Sequence, residues 1–331
     1  MRRGRAGLCR VLHKGGTMRG ILLALAVACA PGVVHAEDCS LKQMASLDML
    51  GTSDKDIIVQ VMVDGTPRNF LVDTGGVYSE INESIVKELG LREQPVAGEL
   101  YTASGAVLRN GVTVPSVMLG QNEAKGIRLI VRPDRNDSID GVLSPDLLQV
   151  FDVDIDFAAR KLNLFSPEHC EGKVVYWAHA YSEASFKLTD GYHITFDAGL
   201  DDHEMSAILD TGSTMTWLAA YNASRLFSVD ASSPDVEKTD ISLGGEPVIR
   251  RRFQSLAVSG VKVLNPMIYI RPDVDEKAFY REHSTKDVRD PIYGYSLDST
   301  PLIFGMNIIS KLHVYIAYKE HKLYVTDAGA H

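Results

Sequence analysis

No apolar run in this chain is long enough to cross a bilayer, which leaves no transmembrane helix to be expected in the mature protein. Three chemical signatures are also missing. There is no Gly-x-Ser-x-Gly, His203-Glu204 has no second His where a zinc-protease helix needs one, and no glycine-rich loop is present to cradle a phosphate. Basic residues are in deficit: 34 Lys and Arg against 43 Asp and Glu give −9, and residues 1–36 hold six of the basic residues and no acid, so the remainder carries −15. Such a body repels phosphate backbones, and a nucleic-acid partner is not expected. Cysteine occurs only four times. The two beyond the leader have no neighbouring His pair, so no metal site is expected, and no residue pattern asks for a cofactor. What is present, 45% hydrophobic and 23% charged residues over 331 positions, is the composition of an ordinary globular protein and excludes a disordered or fibrous chain.

Gly20–Ala30 forms a short apolar run after Arg19, followed by Val34-His35-Ala36, a pattern that suits cleavage before Glu37. Residues 1–36 are therefore expected to be a signal peptide, with Met18 an alternative start. The mature chain is expected to be exported, either periplasmic or secreted. A competing processing site, Ala26-Val27-Ala28-Cys29, would acylate Cys29 and yield a membrane-anchored lipoprotein. Either route leaves Cys39 and Cys170 in an oxidising compartment, where a disulfide between them is expected and two free structural thiols are the alternative.

The chain repeats itself. Leu71-Val72-Asp73-Thr74-Gly75 returns as Ile208-Leu209-Asp210-Thr211-Gly212 at an offset of 137, and Leu129-Ile130-Val131-Arg132-Pro133-Asp134 returns as Ile268-Tyr269-Ile270-Arg271-Pro272-Asp273 at 139. Val142 to Phe165 then aligns without gaps on Ile303 to Thr326 at 161, so an insertion of 22 residues lies between Val274 and Leu302. Each half reads as a hairpin feeding its Asp, followed by a short helical segment, at Asn82 to Leu89 and at Leu218 to Leu226. Phe151 to Phe157 and Leu312 to Tyr318 alternate as strands, and the three acids of the first are read as a solvated strand face. The expected fold is mostly β: two homologous lobes, 50–168 and 185–328, joined by a connector over 169–184, with short helices and a cleft between them.

An Asp-Thr-Gly that follows an apolar strand at equivalent points of a duplication points to one chemistry. Two carboxylates about 3 Å apart cannot both ionise comfortably, so they share a proton; one then takes a proton from water while the other polarises a peptide carbonyl. Asp73 and Asp210 are the candidate catalytic pair. Gly75 and Gly212 would allow close backbone approach, and Thr74 and Thr211 would hydrogen-bond across the pseudo-twofold.

On Phe70-Leu71-Val72-Asp73-Thr74-Gly75-Gly76, Ala207-Ile208-Leu209-Asp210-Thr211-Gly212-Ser213 and the later Ile303-Phe304-Gly305, the chain resembles the aspartic protease superfamily of pepsins and retroviral proteases. It is most like the bacterial retropepsin-like proteins that carry two such units in one exported chain. The resemblance covers nearly all of residues 55–328. It implies an aspartic endopeptidase acting on peptide or protein substrates, a monomer with an intramolecular dyad, and a flap at Glu99 to Gly105 with Tyr101 touching substrate; an ordinary β-turn with an exposed Tyr is the other reading of that segment. In this family the residue after Asp-Thr-Gly commonly offers a hydroxyl to the carboxylate, which Ser213 can do for Asp210 and Gly76 cannot do for Asp73, so Asp210 is expected to be the more acidic partner. The first half departs from the pattern at Gly76 and at Ser144, which stands where the second half has Gly305. A rival reading keeps the fold as a non-catalytic peptide-binding or scaffold module.

Overall fold

A computed structural model describes residues 39–101, 107–134, 138–243, 245–273 and 300–330. The leader with Cys29, residues 102–106 of the flap segment, the Tyr101 side chain and the insertion over 274–299 lie outside the described residues.

The hairpin that feeds the first Asp shows how sequence becomes structure here. β2 (Ile58–Val63) buries Val59, Val61 and Val63 and turns the residues between them outward, the period-2 signature of a half-buried strand. It pairs antiparallel with β3 (Thr66–Val72), Val63 opposite Thr66. Asp64 and Gly65, with φ of 47° and 79°, close a two-residue turn whose twist matches the strands. In the second half β12 (Ile194–Leu200) and β13 (His203–Leu209) form the corresponding hairpin around Asp201.

Beyond each hairpin the same strand crossing recurs. β3 runs parallel to β8 (Gly141–Leu143), which pairs antiparallel with β4 (Glu80–Asn82), itself parallel to β7 (Asn122–Arg132). Correspondingly, β13 runs parallel to β20 (Leu302–Phe304), which pairs antiparallel with β14 (Trp217–Ala219), itself parallel to β19 (Met267–Arg271). The repeated Arg-Pro-Asp has a local task in this arrangement. Asp134 accepts the Ser84 N–H at the start of α1 (Glu83–Glu88), and Asp273 accepts the Tyr221 N–H at the start of α3 (Ala220–Phe227). Each carboxylate thereby satisfies an orphan helix donor that the helix's own N-cap side chain leaves unbonded. Gly90 ends the first helical segment at φ 62°.

Strands from both halves meet in one sheet. β1 (Gln43–Asp48), β10 (Lys161–Phe165), β9 (Asp152–Asp156), β21 (Leu312–Ala317), β22 (Lys322–Asp327) and β11 (Ser182–Leu188) are consecutive neighbours, with Ile155 of β9 opposite Val314 of β21. The Cys39–Cys170 disulfide ties the segment before β1 to the segment after β10.

Two of the three acids of β9 are not on a solvated face; Asp156, at the strand's end, remains partly exposed. Asp152 and Asp154 are fully buried, because β9 lies between β10 and β21 and the connector folds over it. Asp154 accepts from His313 Nε2 (2.6 Å), Tyr176 Oη (2.7 Å) and Asn163 Nδ2 (2.8 Å), while Asp152 contacts His169 Nε2 at 2.5 Å and accepts the Tyr318 N–H at 3.0 Å. Trp177 stacks on His313 at 4.0 Å between centroids. Each carboxylate oxygen has at least one hydrogen-bond partner, which is the condition under which a buried carboxylate is tolerated.

Candidate active site

Asp73 and Asp210 stand at the ends of β3 and β13, where the crossing strands fix their backbones: Asp73 N–H donates to Leu143 O (2.9 Å) and Asp210 N–H to Phe304 O (3.0 Å). The two threonines then lock one loop to the other. Thr74 N–H donates to Thr211 Oγ1 and Thr211 N–H to Thr74 Oγ1, at 3.0 and 3.1 Å. Their hydroxyls donate onward to Leu209 O and Val72 O, at 2.8 and 2.7 Å. Both threonines are fully buried, so this reciprocal grip is shielded from competition with water.

The glycines are needed for approach rather than for φ. A Cβ on Gly75 would collide with the carboxyl of Asp210, and one on Gly212 with the carboxyl of Asp73. Each loop's glycine backs onto the opposite aspartate, and any side chain there would part the pair.

Gly75 N–H donates to Asp73 Oδ1 at 2.9 Å, and the Gly212 and Ser213 N–H groups both donate to Asp210 Oδ1 at 3.0 Å. The two residues are half-buried, open to solvent on one side only. Burial pushes Asp73 above the ordinary carboxylate range, countered by the N–H groups of Gly75, Gly76 and Gly212 and by a hydrogen bond from the Asp210 carboxyl. Asp210 is pushed well above that range, first by burial and then by the charge of Asp73 and the hydrogen bond shared with it. The pair therefore favours one retained proton, shared between the two carboxyls.

The hydroxyl on which the sequence bases a more acidic Asp210 does not reach that carboxyl. The Ser213 hydroxyl donates to Met215 O (2.9 Å) and accepts from Trp217 Nε1 (3.0 Å); only the backbone N–H of Ser213 reaches Asp210. The hydroxyl is spent within its own loop.

Three further contacts escaped the sequence reading. Ser79 and Thr216, equivalent across the duplication, anchor the strand behind each loop: Ser79 Oγ donates to Asp146 (2.6 Å) and accepts Ser144 N–H (2.9 Å), and Thr216 Oγ1 donates to Asn307 (2.8 Å) and accepts Gly305 N–H (3.0 Å). The ungapped alignment at offset 161 already places Asp146 on Asn307. The third contact, His193, gives no such signal. Its Nε2 lies 2.9 Å from Gly75 O and its Nδ1 3.2 Å from the Thr189 hydroxyl, so a neutral ring protonated at Nε2 satisfies both. Burial lowers its pKa and favours that neutral form.

Beside the second loop a cavity of about 600 Å³ opens, with Thr214 and Met215 on its wall and Lys55, Arg250, Arg252 and Tyr269 around it. Among the described residues no group of three His, Cys, Asp or Glu side chains is placed to hold a metal ion. No helix among them is long and apolar enough to cross a membrane.

This is the mostly β fold of the aspartic proteases, with two Asp-Thr-Gly loops gripped together. An aspartyl protease family model matches residues 59–147. No curated protein matches the chain. Among solved structures it is similar to an aspartic proteinase from Irpex lacteus, at 13% identity and a TM-score of 0.52, covering 86% of this chain and 97% of that one. At that identity the likeness is one of fold. A retropepsin-like aspartic protease from Rickettsia conorii matches at 22% identity over 38% of this chain and 92% of its own, with a TM-score of 0.31.

Proposed function

We propose that this protein is an aspartic endopeptidase in which Asp73 and Asp210 activate one water against a peptide carbonyl. The observation that carries the reading is the pair of loops itself: two carboxyls held together by reciprocal threonine bonds, backed by each other's glycines, and both raised above the ordinary carboxylate range. In this reading Asp73, the carboxylate, takes a proton from the water as it attacks. Asp210, the acid, gives its proton to the carbonyl oxygen as charge develops there. The tetrahedral diol then collapses: the C–N bond breaks as Asp73 passes its proton to the leaving amine and a diol hydroxyl returns one to Asp210, which restores the starting pair. No charge has to be imported, since the pair carries one proton and one negative charge throughout.

The working unit is taken to be a monomer with lobes over 50–168 and 185–328 and a connector over 169–184, its substrate lying in the cleft between the loops and the flap that includes Tyr101. The cavity with Thr214 and Met215 on its wall, next to the second loop, is taken to receive a substrate side chain. Export by the 1–36 leader, with the lipid anchor at Cys29 as the alternative, agrees with the Cys39–Cys170 disulfide.

Incubation with an unbiased peptide library between pH 4 and 7, with and without pepstatin, tests the reading. Internal cleavage blocked by the inhibitor is the expected result. Peptide binding without cleavage would replace it with the non-catalytic module.

A further inference from the structure

The departures at Gly76 and Ser144 are one feature, not two. A Cβ on Gly76 would collide with Ser144 Oγ and would stand 3.1 Å from Asp73 Oδ2, so the Ser144 hydroxyl fills the space a side chain at 76 would occupy, next to the first carboxyl. In the second half the equivalent places are exchanged. Ser213 carries the hydroxyl, and a Cβ on Gly305 would run into Met215 O and lie 2.8 Å from Ser213 O. Each half thus holds one serine and one glycine at this corner, in opposite order.

The two hydroxyls are employed differently. That of Ser213 is committed to Met215 O and Trp217 Nε1. Ser144 Oγ is buried, with the residue 1% exposed, and has no hydrogen-bond partner among the described residues. Ser144 is also the N-cap of α2 (Pro145–Leu148), where a serine side chain ordinarily accepts a helix N–H, yet it makes no such bond. Asp146, the other carboxylate near this corner, already accepts the Ser79 hydroxyl and N–H, so a buried hydroxyl relieved of capping is left facing Asp73 across the space at Gly76.

We propose that Ser144 is a positioning residue of the dyad, its hydroxyl turning to donate to Asp73 Oδ2 when that carboxyl is ionised. This rests on the dyad reading above and deepens it. The hydroxyl would hold Asp73 as the anion and leave the shared proton on Asp210, and it reaches the carboxyl from the strand-to-helix junction because Gly76 has vacated the route used by a hydroxyl at position 76.

Two sets of variants test it, each compared with the folded wild type by circular dichroism. Ser144→Ala removes only the oxygen. The limb of the kcat/KM profile on the acid side should move up by roughly one pH unit, the worth of one hydrogen bond to a charged group. The Asp73 carboxyl followed by 13C NMR should move with it. Gly76→Ser alone should lose on the order of tenfold or more in kcat, and Gly76→Ser with Ser144→Gly, which copies the second half's arrangement, should recover most of that loss. An unmoved acid limb and an unmoved Asp73 carboxyl in Ser144→Ala would overturn the proposal, as would a double variant no better than Gly76→Ser. The NMR titration reads Asp73 without turnover, so a shift there in a wild type that cleaves nothing would sink the protease reading while leaving the Ser144 contact standing.

Discussion

Two pairs of aspartates, one buried and one half-buried, are handled in opposite ways in this protein. Asp152 and Asp154 alternate on one strand, and each is met by a histidine and by neutral donors. Asp73 and Asp210 lie 137 residues apart and are brought face to face, with N–H groups as their donors and each other as neighbours. The first arrangement meets every carboxylate oxygen with side-chain or backbone donors and links strands from the two halves of the chain. The second withholds neutralisation, so that a proton stays on the pair at a pH where an ordinary aspartate has lost it. Burial alone marks neither class; the identity of the neighbours does.

Exchanging a single oxygen for nitrogen should separate the two. Asp73→Asn or Asp210→Asn should lower kcat/KM by on the order of 10³-fold or more with the fold retained, because each removes half of a unit that acts jointly. Asp154→Asn should spare the cleft and strike stability: it turns an acceptor into a donor facing the Tyr176 and Asn163 donors, at a cost of about 1–3 kcal/mol in urea unfolding. If Asp154→Asn instead abolished cleavage in a protein of normal stability, the division between the two pairs would be wrong.

The dyad substitutions should also change how stability follows pH. The folded pKa of both Asp73 and Asp210 is raised above the unfolded value, so the folded state binds more protons once pH exceeds the ordinary 3.8, and the favour this gives folding fades as pH rises through the raised values. Asp210→Asn removes the more strongly raised of the two. Its unfolding midpoint should exceed that of wild type at pH 7, and the advantage should shrink toward pH 4. An identical pH dependence in the two proteins would show that the pair is not strained. The smallest effect is expected at His193, which reaches the reacting groups only through Gly75 O. His193→Gln, which keeps a donor, should stay within about threefold of wild-type kcat/KM, and His193→Ala should fall below it. Equal activities in the two would remove any role for that contact.

The hairpins and the paired Asp-Thr-Gly loops are legible in the sequence because they rest on local signals: period-2 burial, an Asp-Gly turn, and a motif printed twice. Asp152 and Asp154 were misread because their partners, His169, Tyr176 and His313, come from the connector and from a strand near the other end of the chain, and no local pattern encodes that pairing. The Ser213 hydroxyl was misassigned for a similar reason. Its competitor, Met215 O, is set by the loop's path rather than by residue type. β1, which pairs with a strand more than 110 residues further along the chain, and His193, whose contact crosses the duplication, likewise leave no local trace. Long-range polar pairing, more than secondary structure, is where the sequence is silent.

The shared proton is the centre of this account, and 13C NMR titration of the Asp73 and Asp210 carboxyls measures it without a substrate. The two should titrate as a coupled pair in two steps, the later one above the ordinary carboxylate range, and Asp210→Asn should abolish that later step and leave Asp73 a single one below it, since no second carboxyl is left to titrate against a negative partner. Two independent titrations near the ordinary value of 3.8, unchanged in either Asp→Asn variant, would contradict it.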